Sequence, residues 1–311
     1  MKNINYSIKK SIKFLKNNEC IGIPTETVYG LAANAYSKKA TSKIFSLKKR
    51  PKNNPLIVHY HDLKGLKKDC YLNKDFKKLF EKFCPGPITF ILKLKKHSNI
   101  AQNVTNFKKS LAVRFPNHPV TRSLLKKINF PLAAPSANIY SRISPVTKED
   151  VLEEFGNKIK YVLNGGRSSI GLESTIIDLT NKPKIVRLGG LDTKILSNAI
   201  NKKVNYKFNY LKSVKFPGQS KLHYSPGIPI KLNIKNPKKY SAYLLIKKKK
   251  KENKNFFYLS KKNDLKQAGK NLYKTLRKIK KMKYKLIEVE KIPNLGLGKT
   301  INDRLTKASF K

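Results

Sequence analysis

Five short stretches in the first two thirds of the chain set anion-binding side chains beside apolar, strand-like segments. "KKRPKNNPLIVHY" offers Lys48, Arg50 and Asn54 ahead of an apolar run that ends at His59. "SLAVRFPNHP" opens on Ser110 and carries Arg114 after its apolar residues, and "APSANIYSRISP" presents Ser136, Asn138, Ser141 and Ser144. "GLESTIIDL" leads into a strand with Ser174 and Thr175, and "KIVRLGG" contains Arg187. A sixth stretch, "GIPTETVYGL", places Thr25 and Thr27 around Glu26 between Pro24 and Gly30, which bracket a turn. The shared chemistry is charge recognition: a guanidinium grips carboxylate or phosphate through two hydrogen bonds, and hydroxyls both donate and accept. Arg114 would be costly to bury without an anionic partner. Together the stretches describe a cleft for a polyanion plus a small polar ligand.

No conventional nucleophile system accompanies them. The five histidines (His59, His61, His97, His118, His223) form no HExxH, and no serine sits in GxSxG. "PNLGLGKT" fails as a P-loop because Pro293 stands where its first glycine belongs, and reads as a strand-to-helix turn. An enzyme built from these residues acts by positioning and charge stabilisation.

The 311 residues carry 69 Lys plus Arg against 18 Asp plus Glu, a net charge of +51. Such a field attracts nucleic acid, so a non-enzymatic protein binding tRNA or double-stranded RNA is an alternative reading. Only eight of the basic residues are arginine, however, and tryptophan is absent while Lys, Asn, Ile, Phe and Tyr abound, as A/T-rich codons would supply. Where lysine is the default cation, a retained arginine marks a position that needs the planar fork. Cys20, Cys70 and Cys84 are odd in number and lack CxxC spacing, which indicates neither a disulfide framework nor a zinc site. No run approaches the length of a membrane span, so a soluble, cytoplasmic protein is expected.

The elements that must position these groups follow from apolar spacing. Ile8, Ile12 and Leu15 predict a helix before the strand-like "CIGIPTE", and Ala40, Ile44 and Leu47 predict a second. Phe76, Leu79, Phe80 and Phe83 mark another, ended by "CPGP". "ITFILKLK", "SLAVRFP", "KYVLNGG", "STIIDLT" and "KIVRLGG" read as strands, and Thr147 with Asp150 as a capping box opening a helix that closes at Gly156. The fold class expected is α/β, a twisted open mixed sheet with flanking helices over residues 1–200. A polar, proline-containing linker follows over 201–238, and a small Rossmann-like α/β domain over 239–311, with a helix stripe through Leu265, Ala268, Leu272, Leu276 and Ile279.

The motifs together resemble the L-threonylcarbamoyladenylate synthase family, whose members carry a YrdC-like domain. The likeness rests on "PTETVYGL", "KKRPKNNPLIVH", "PGPITFIL", "LAVRFPNHP", "PLAAPSAN", "SRISP", "GLESTIIDL" and "IVRLGG", over about Glu19 to Gly190. It continues through "HYSPGIP" and "GLGKTINDRLTKA", as in the longer two-domain form. The resemblance implies a nucleotidyltransferase that condenses L-threonine, bicarbonate or CO2, and ATP into threonylcarbamoyl-AMP with release of pyrophosphate. The product would supply tRNA threonylcarbamoyltransferase machinery, and Mg2+ would come with ATP; tRNA itself is a further possible partner. It places Thr27, His59, Arg114, Ala134 and Ser174 around threonine. It places Arg50, Asn54, Ser110, Ser136, Ser144, Arg187 and His223 around ATP, with Lys48 and Asn138 added as phosphate or nucleotide contacts inside the matching motifs. No protein nucleophile is implied, and the linker would serve as a lid. The chain departs from the family pattern at Lys49, where a small residue is usual, at Cys84, which replaces a tryptophan, and at "SKLHYSP", which lacks a second basic residue beside the histidine.

Overall fold

Along "SLAVR", Leu111 and Val113 enter the main core, while Ser110, Ala112 and Arg114 fall on the opposite face of the strand. The same alternation organises the large sheet of this computed structural model, which describes residues 2–204, 206, 222–250 and 252–310. Its strands are β1 (Ile21–Ile23), β2 (Gly30–Asn34), β3 (Ile57–His59), β4 (Ile88–Lys93), β5 (Ser110–Arg114), β6 (Leu132–Ala133), β7 (Tyr161–Val162), β8 (Thr175–Asp178) and β9 (Lys184–Arg187). They stand in the order β7-β1-β2-β6-β3-β5-β4-β8-β9, with parallel pairs at β1/β7, β3/β5 and β4/β8 and antiparallel pairs elsewhere. The mixed sheet expected from the sequence is therefore present.

Register does the positioning. His59 pairs with Arg114, Arg114 with Thr89, Thr89 with Ile176, and Ile176 with Arg187. One transverse row thus delivers two arginines and a histidine to the same end of five neighbouring strands. Directly behind it on the same face lie Ile57, Ile91 and Ala112. The other face carries Val58, Phe90, Val113 and Ile177, packed against Ile44, Phe76 and Leu79 of the helices Lys38–Lys48 and Lys74–Phe83. At the β1 end, Ile8 and Leu15 of the helix Lys2–Lys16 and Leu124 of the helix Pro119–Lys126 pack on Ile21, Ile23 and Leu132. The Thr147/Asp150 capping box opens the helix Lys148–Phe155, and Gly156 closes it at φ +51°, a conformation suited to glycine.

Beyond Pro229 a second, all-parallel sheet takes the order β10-β13-β11-β12, with β10 (Ile230–Lys231), β11 (Ala242–Leu245), β12 (Phe256–Tyr258) and β13 (Ile287–Val289). It is flanked by the helices Leu265–Lys281 and Leu297–Ser309. β10 falls inside the expected linker, because Ile230 pairs with Ile287 as an edge strand; the second domain therefore starts before residue 239. Residues 205 and 207–221 of that linker, where most of the expected lid falls, lie outside the described residues. "PNLGLGKT" forms the turn into the last helix. A Cβ on Gly298 would come 1.9 Å from the Pro293 carbonyl, and the Thr300 hydroxyl donates to the Gly189 carbonyl of the first domain at 2.9 Å. Among the described residues no helix is long and apolar enough to cross a membrane.

Candidate active site

A cavity opens at the end of the His59–Arg114–Arg187 row. The β1–β2 loop supplies Thr25 and Thr27, the segment after the helix Lys38–Lys48 supplies Arg50, and the loop after β6 supplies Ala134 and Ser136. Glu173 and Ser174 enter just before β8, and His223 and Tyr224 close one side from the linker.

The β1–β2 loop is held at both ends. Thr121 donates to the Pro24 carbonyl, Ser168 donates to the Thr25 carbonyl at 2.8 Å, and the Ile170 amide to the Glu26 carbonyl at 2.8 Å. The Thr25 hydroxyl donates to the Val28 carbonyl, so in its 2.8 Å contact with Thr27 the proton comes from Thr27. Thr27 therefore faces the cavity as an acceptor. Glu26 turns the other way and pairs with Arg114, Oε1 to Nη2 at 2.8 Å, while its Oε2 accepts the Asn117 amide at 2.9 Å. Both partners are buried, so the desolvated Arg114 has its anion from within the chain.

Arg50 is oriented by "NNP": its Nε donates to the Asn54 carbonyl at 3.0 Å, and its Nη2 to the Asn54 side chain and to the Pro55 carbonyl. Burial brings its pKa down to about 10, with Arg187 adding repulsion and Tyr140 opposing it. Arg187 donates from Nε and Nη2 to the Ser174 carbonyl, at 3.2 and 2.8 Å, and from Nη2 to its hydroxyl at 3.1 Å; burial lowers its pKa as well. Two guanidiniums that repel each other beside one cavity make an electrostatic demand for an anion. The cavity's own carboxylate, Glu173, attracts Arg187 but directs its hydrogen bonds elsewhere. That group accepts from Ser144 at 2.6 Å, Tyr273 at 2.8 Å and Arg304 at 2.8 Å. Burial alone would raise its pKa, but Arg304, Arg187 and the Ser144 hydrogen bond hold it at about 2.

The structure brings Thr27, Arg50, His59, Arg114, Ala134, Ser136, Ser174, Arg187 and His223 to the cavity wall. Asn54 and Ser144 stand behind it, holding Arg50 and Glu173. Lys48 and Asn138 also act from behind. The buried Lys48 ammonium donates to the Ser136 and Asn138 carbonyls, and the Asn138 amide nitrogen donates to the Ile139 and Arg142 carbonyls at 2.8 Å each, so these groups shape the loop that carries Ser136. Ser110 is not brought to this cavity. It shares the face of Arg114 but sits at the other end of β5, roughly 13 Å away along the strand, where it borders a groove with Lys93, Lys109, Tyr71 and Phe107. Sequence reasoning missed Glu173 and Tyr224. In a chain with 18 acidic residues, a glutamate next to Ser174 was the available signal for the first. Lys49, where small residues are usual in the family, caps its helix in the left-handed conformation at φ +49°.

His59 and His223 are both buried at the cavity, and the Nδ1 atom of each has no hydrogen-bond partner among the described residues. Burial pushes both pKa values well below 6.5; Arg114 adds to this at His59, whereas Glu173 opposes it at His223. The unfolded chain takes up these protons near pH 6.5 and the folded chain does not. Stability is therefore complete above that value and falls as the pH drops below it, by up to about 1.4 kcal/mol per pH unit for each histidine. Urea midpoints measured between pH 7.5 and 5.5 are expected to show this slope, and His59→Gln to flatten it; an unchanged slope in the variant would remove His59 from the account.

Residues 13–189 match the family model described as "Telomere recombination", which groups Sua5, YciO and YrdC, and residues 191–309 match "Threonylcarbamoyl-AMP synthase, C-terminal domain". The threonylcarbamoyl-AMP synthase of Pyrococcus abyssi is 33% identical over 98% of this chain and 94% of its own length. That of Bacillus subtilis is 30% identical over 97% and 92%. The crystal structure of P. abyssi Sua5 complexed with L-threonine superposes with a TM-score of 0.89 at 30% identity, covering 97% of this chain and 94% of that one. A variant of the same protein with a neighbouring histidine and tyrosine changed to alanine gives 0.87. Two consecutive family matches that follow the two sheets, and relatives aligned along nearly the whole chain, establish that this chain belongs to the threonylcarbamoyl-AMP synthase family.

Proposed function

We propose that the chain condenses L-threonine, bicarbonate or CO2, and ATP into L-threonylcarbamoyl-AMP, releasing pyrophosphate. The observation that carries this reading is the pairing of two kinds of unmet demand in one cavity. Arg50 and Arg187 are two buried guanidiniums lining the same cavity, and beside them the buried Arg114 Nε and His59 Nδ1 lack partners among the described residues. The first demand suits a triphosphate. The second, flanked by the Thr27 and Ser174 hydroxyls, suits the carboxylate and side chain of a small hydroxy amino acid.

In this reading the neutral threonine amine adds to CO2 and releases one proton to solvent, giving an N-carboxylate that keeps its remaining N–H; a carboxylate oxygen then attacks the α-phosphate in line as pyrophosphate leaves. Arg114 and His59 orient threonine; Arg50 and Arg187 stabilise charge on the phosphates. Held together and shielded from water, the reactants gain on the order of 7 to 11 kcal/mol from positioning. Among the described residues lining the cavity Glu173 is the one carboxylate, and it is engaged by Arg304, Tyr273 and Ser144. Mg2+ is accordingly proposed to arrive on the triphosphate and to neutralise phosphate charge there. The product is proposed to feed a tRNA threonylcarbamoyltransferase acting on the adenosine beside the anticodon of tRNAs that read codons beginning with A.

Labelled bicarbonate, ATP and folded protein are expected to yield a labelled adenylate only when threonine is added; a product that forms equally without threonine, or none at all, overturns the reading. Within that assay Thr27→Ala is expected to raise KM for threonine about tenfold, the loss of one hydrogen bond, with KM for ATP almost unchanged. A turn with a purely structural role would move both constants or neither.

A further inference from the structure

Acidic residues are scarce in this chain, and several of them gather where the two domains meet. Asp150, Glu153 and Glu154 face Arg277 or Lys281 of the helix Leu265–Lys281, and Glu173 and Asp303 both pair with Arg304 of the last helix. Arg304 is 1% exposed and every edge of its fork is engaged. Nε donates to Glu173 at 2.8 Å, Nη2 donates to the Leu188 carbonyl at 2.7 Å, and Nη1 pairs with Asp303. Its guanidinium lies 4.6 Å from the centroid of the Tyr224 ring, which also neighbours the His223 ring at 4.0 Å and the stacked Tyr273 ring at 6.0 Å. Tyr224 has φ +64°, a left-handed conformation that a bulky residue adopts only when its surroundings impose it. The next turn of the same helix binds the linker again, through the His223 amide and the Lys307 carbonyl at 3.2 Å.

We propose that Arg304, supplied by the second domain, is a positioning residue for the ATP side of the site. This rests on the function proposed above. Two of the groups it holds lead to that side, Leu188 following Arg187 and Tyr224 following His223; the third, Glu173, binds the Ser144 hydroxyl and also precedes Ser174, the hydroxyl at the border with the threonine side. None leads to Thr27, His59 or Arg114. The second domain is thus a fixed wall of the site, and it keeps the strained linker pair seated against the cavity.

The test is calorimetric binding of Mg–ATP to the full chain without threonine, joined to steady-state kinetics in both substrates. Arg304→Lys keeps the charge but loses the fork, and is expected to weaken ATP binding at least tenfold while KM for threonine changes less than twofold. Arg167→Ala removes a different contact between the domains, to Lys270 and Asn271, and is expected to leave ATP affinity unchanged. ATP affinity within twofold of the parent in Arg304→Lys overturns the proposal, as does an equal loss in Arg167→Ala, which would make the effect a general one of domain docking. Should Arg304→Lys fail to fold, Glu173→Gln breaks the same contact from the other side, and unchanged ATP affinity in it also overturns the proposal. A parent chain that binds no ATP overturns the functional reading itself, a result distinct from any of these.

Discussion

Arg50→Ala is expected to lower kcat/KM for ATP by about 10²–10³, the scale of removing one preorganised charge-stabilising donor, while circular dichroism and the urea midpoint stay close to the parent's. The fold is expected to tolerate the change because Arg50 itself lines the cavity, so that truncating it opens space through which water can reach the acceptors it releases, the Asn54 side chain and the Asn54 and Pro55 carbonyls. Arg50→Lys is the sharper variant, since it retains charge without the fork; recovery of most of the activity would mean that charge alone is used at this position. Near-normal turnover in Arg50→Ala would remove this arginine from the site.

Glu26→Ala is expected to be the most destabilising single change at the site. It leaves Arg114 buried without its anion and the Asn117 amide without its acceptor, a situation that costs about 3–5 kcal/mol. That is a large share of the 5–15 kcal/mol typical of a domain, so a drop in urea midpoint is the measurement. Replacing both partners, Glu26→Leu with Arg114→Met, removes the unpaired charge and is expected to recover most of the stability. Activity is expected to stay absent in the double variant, because Arg114 is the proposed grip on the threonine carboxylate. If the double variant were as unstable as Glu26→Ala, loop packing rather than the unpaired cation would account for the loss.

Much of the site was legible because its residue types contradict their surroundings. Arg50, Arg114 and Arg187 stand out in a chain whose default cation is lysine, and Arg114 and Arg187 each lie at the end of an apolar segment, where a buried charge demands a partner. β5 was legible because one of its faces is core and the other is site, which preserves a period of two. β2 was not, since "GLAAN" is buried on both faces between β1 and β6 and shows no alternation to read. The boundary of the second domain was missed for a related reason: β10 is two residues long and is defined by its pairing with Ile287, which leaves no local pattern.

Local sequence thus determined the types of chemistry available, the elements with a clear period, the capping box at Thr147 and the turn that carries Thr27. Tertiary structure alone decided which of the candidate residues meet. Strand register carried His59, Arg114 and Arg187 into one row and left Ser110 at the far end of the same strand as Arg114. The docking of the last helix decided that Glu173 would be held by Arg304, 131 residues away along the chain. The physical reason is that side-chain type and periodicity are properties of a few adjacent residues, whereas register and domain contact depend on groups far apart in sequence whose mutual burial no local pattern records.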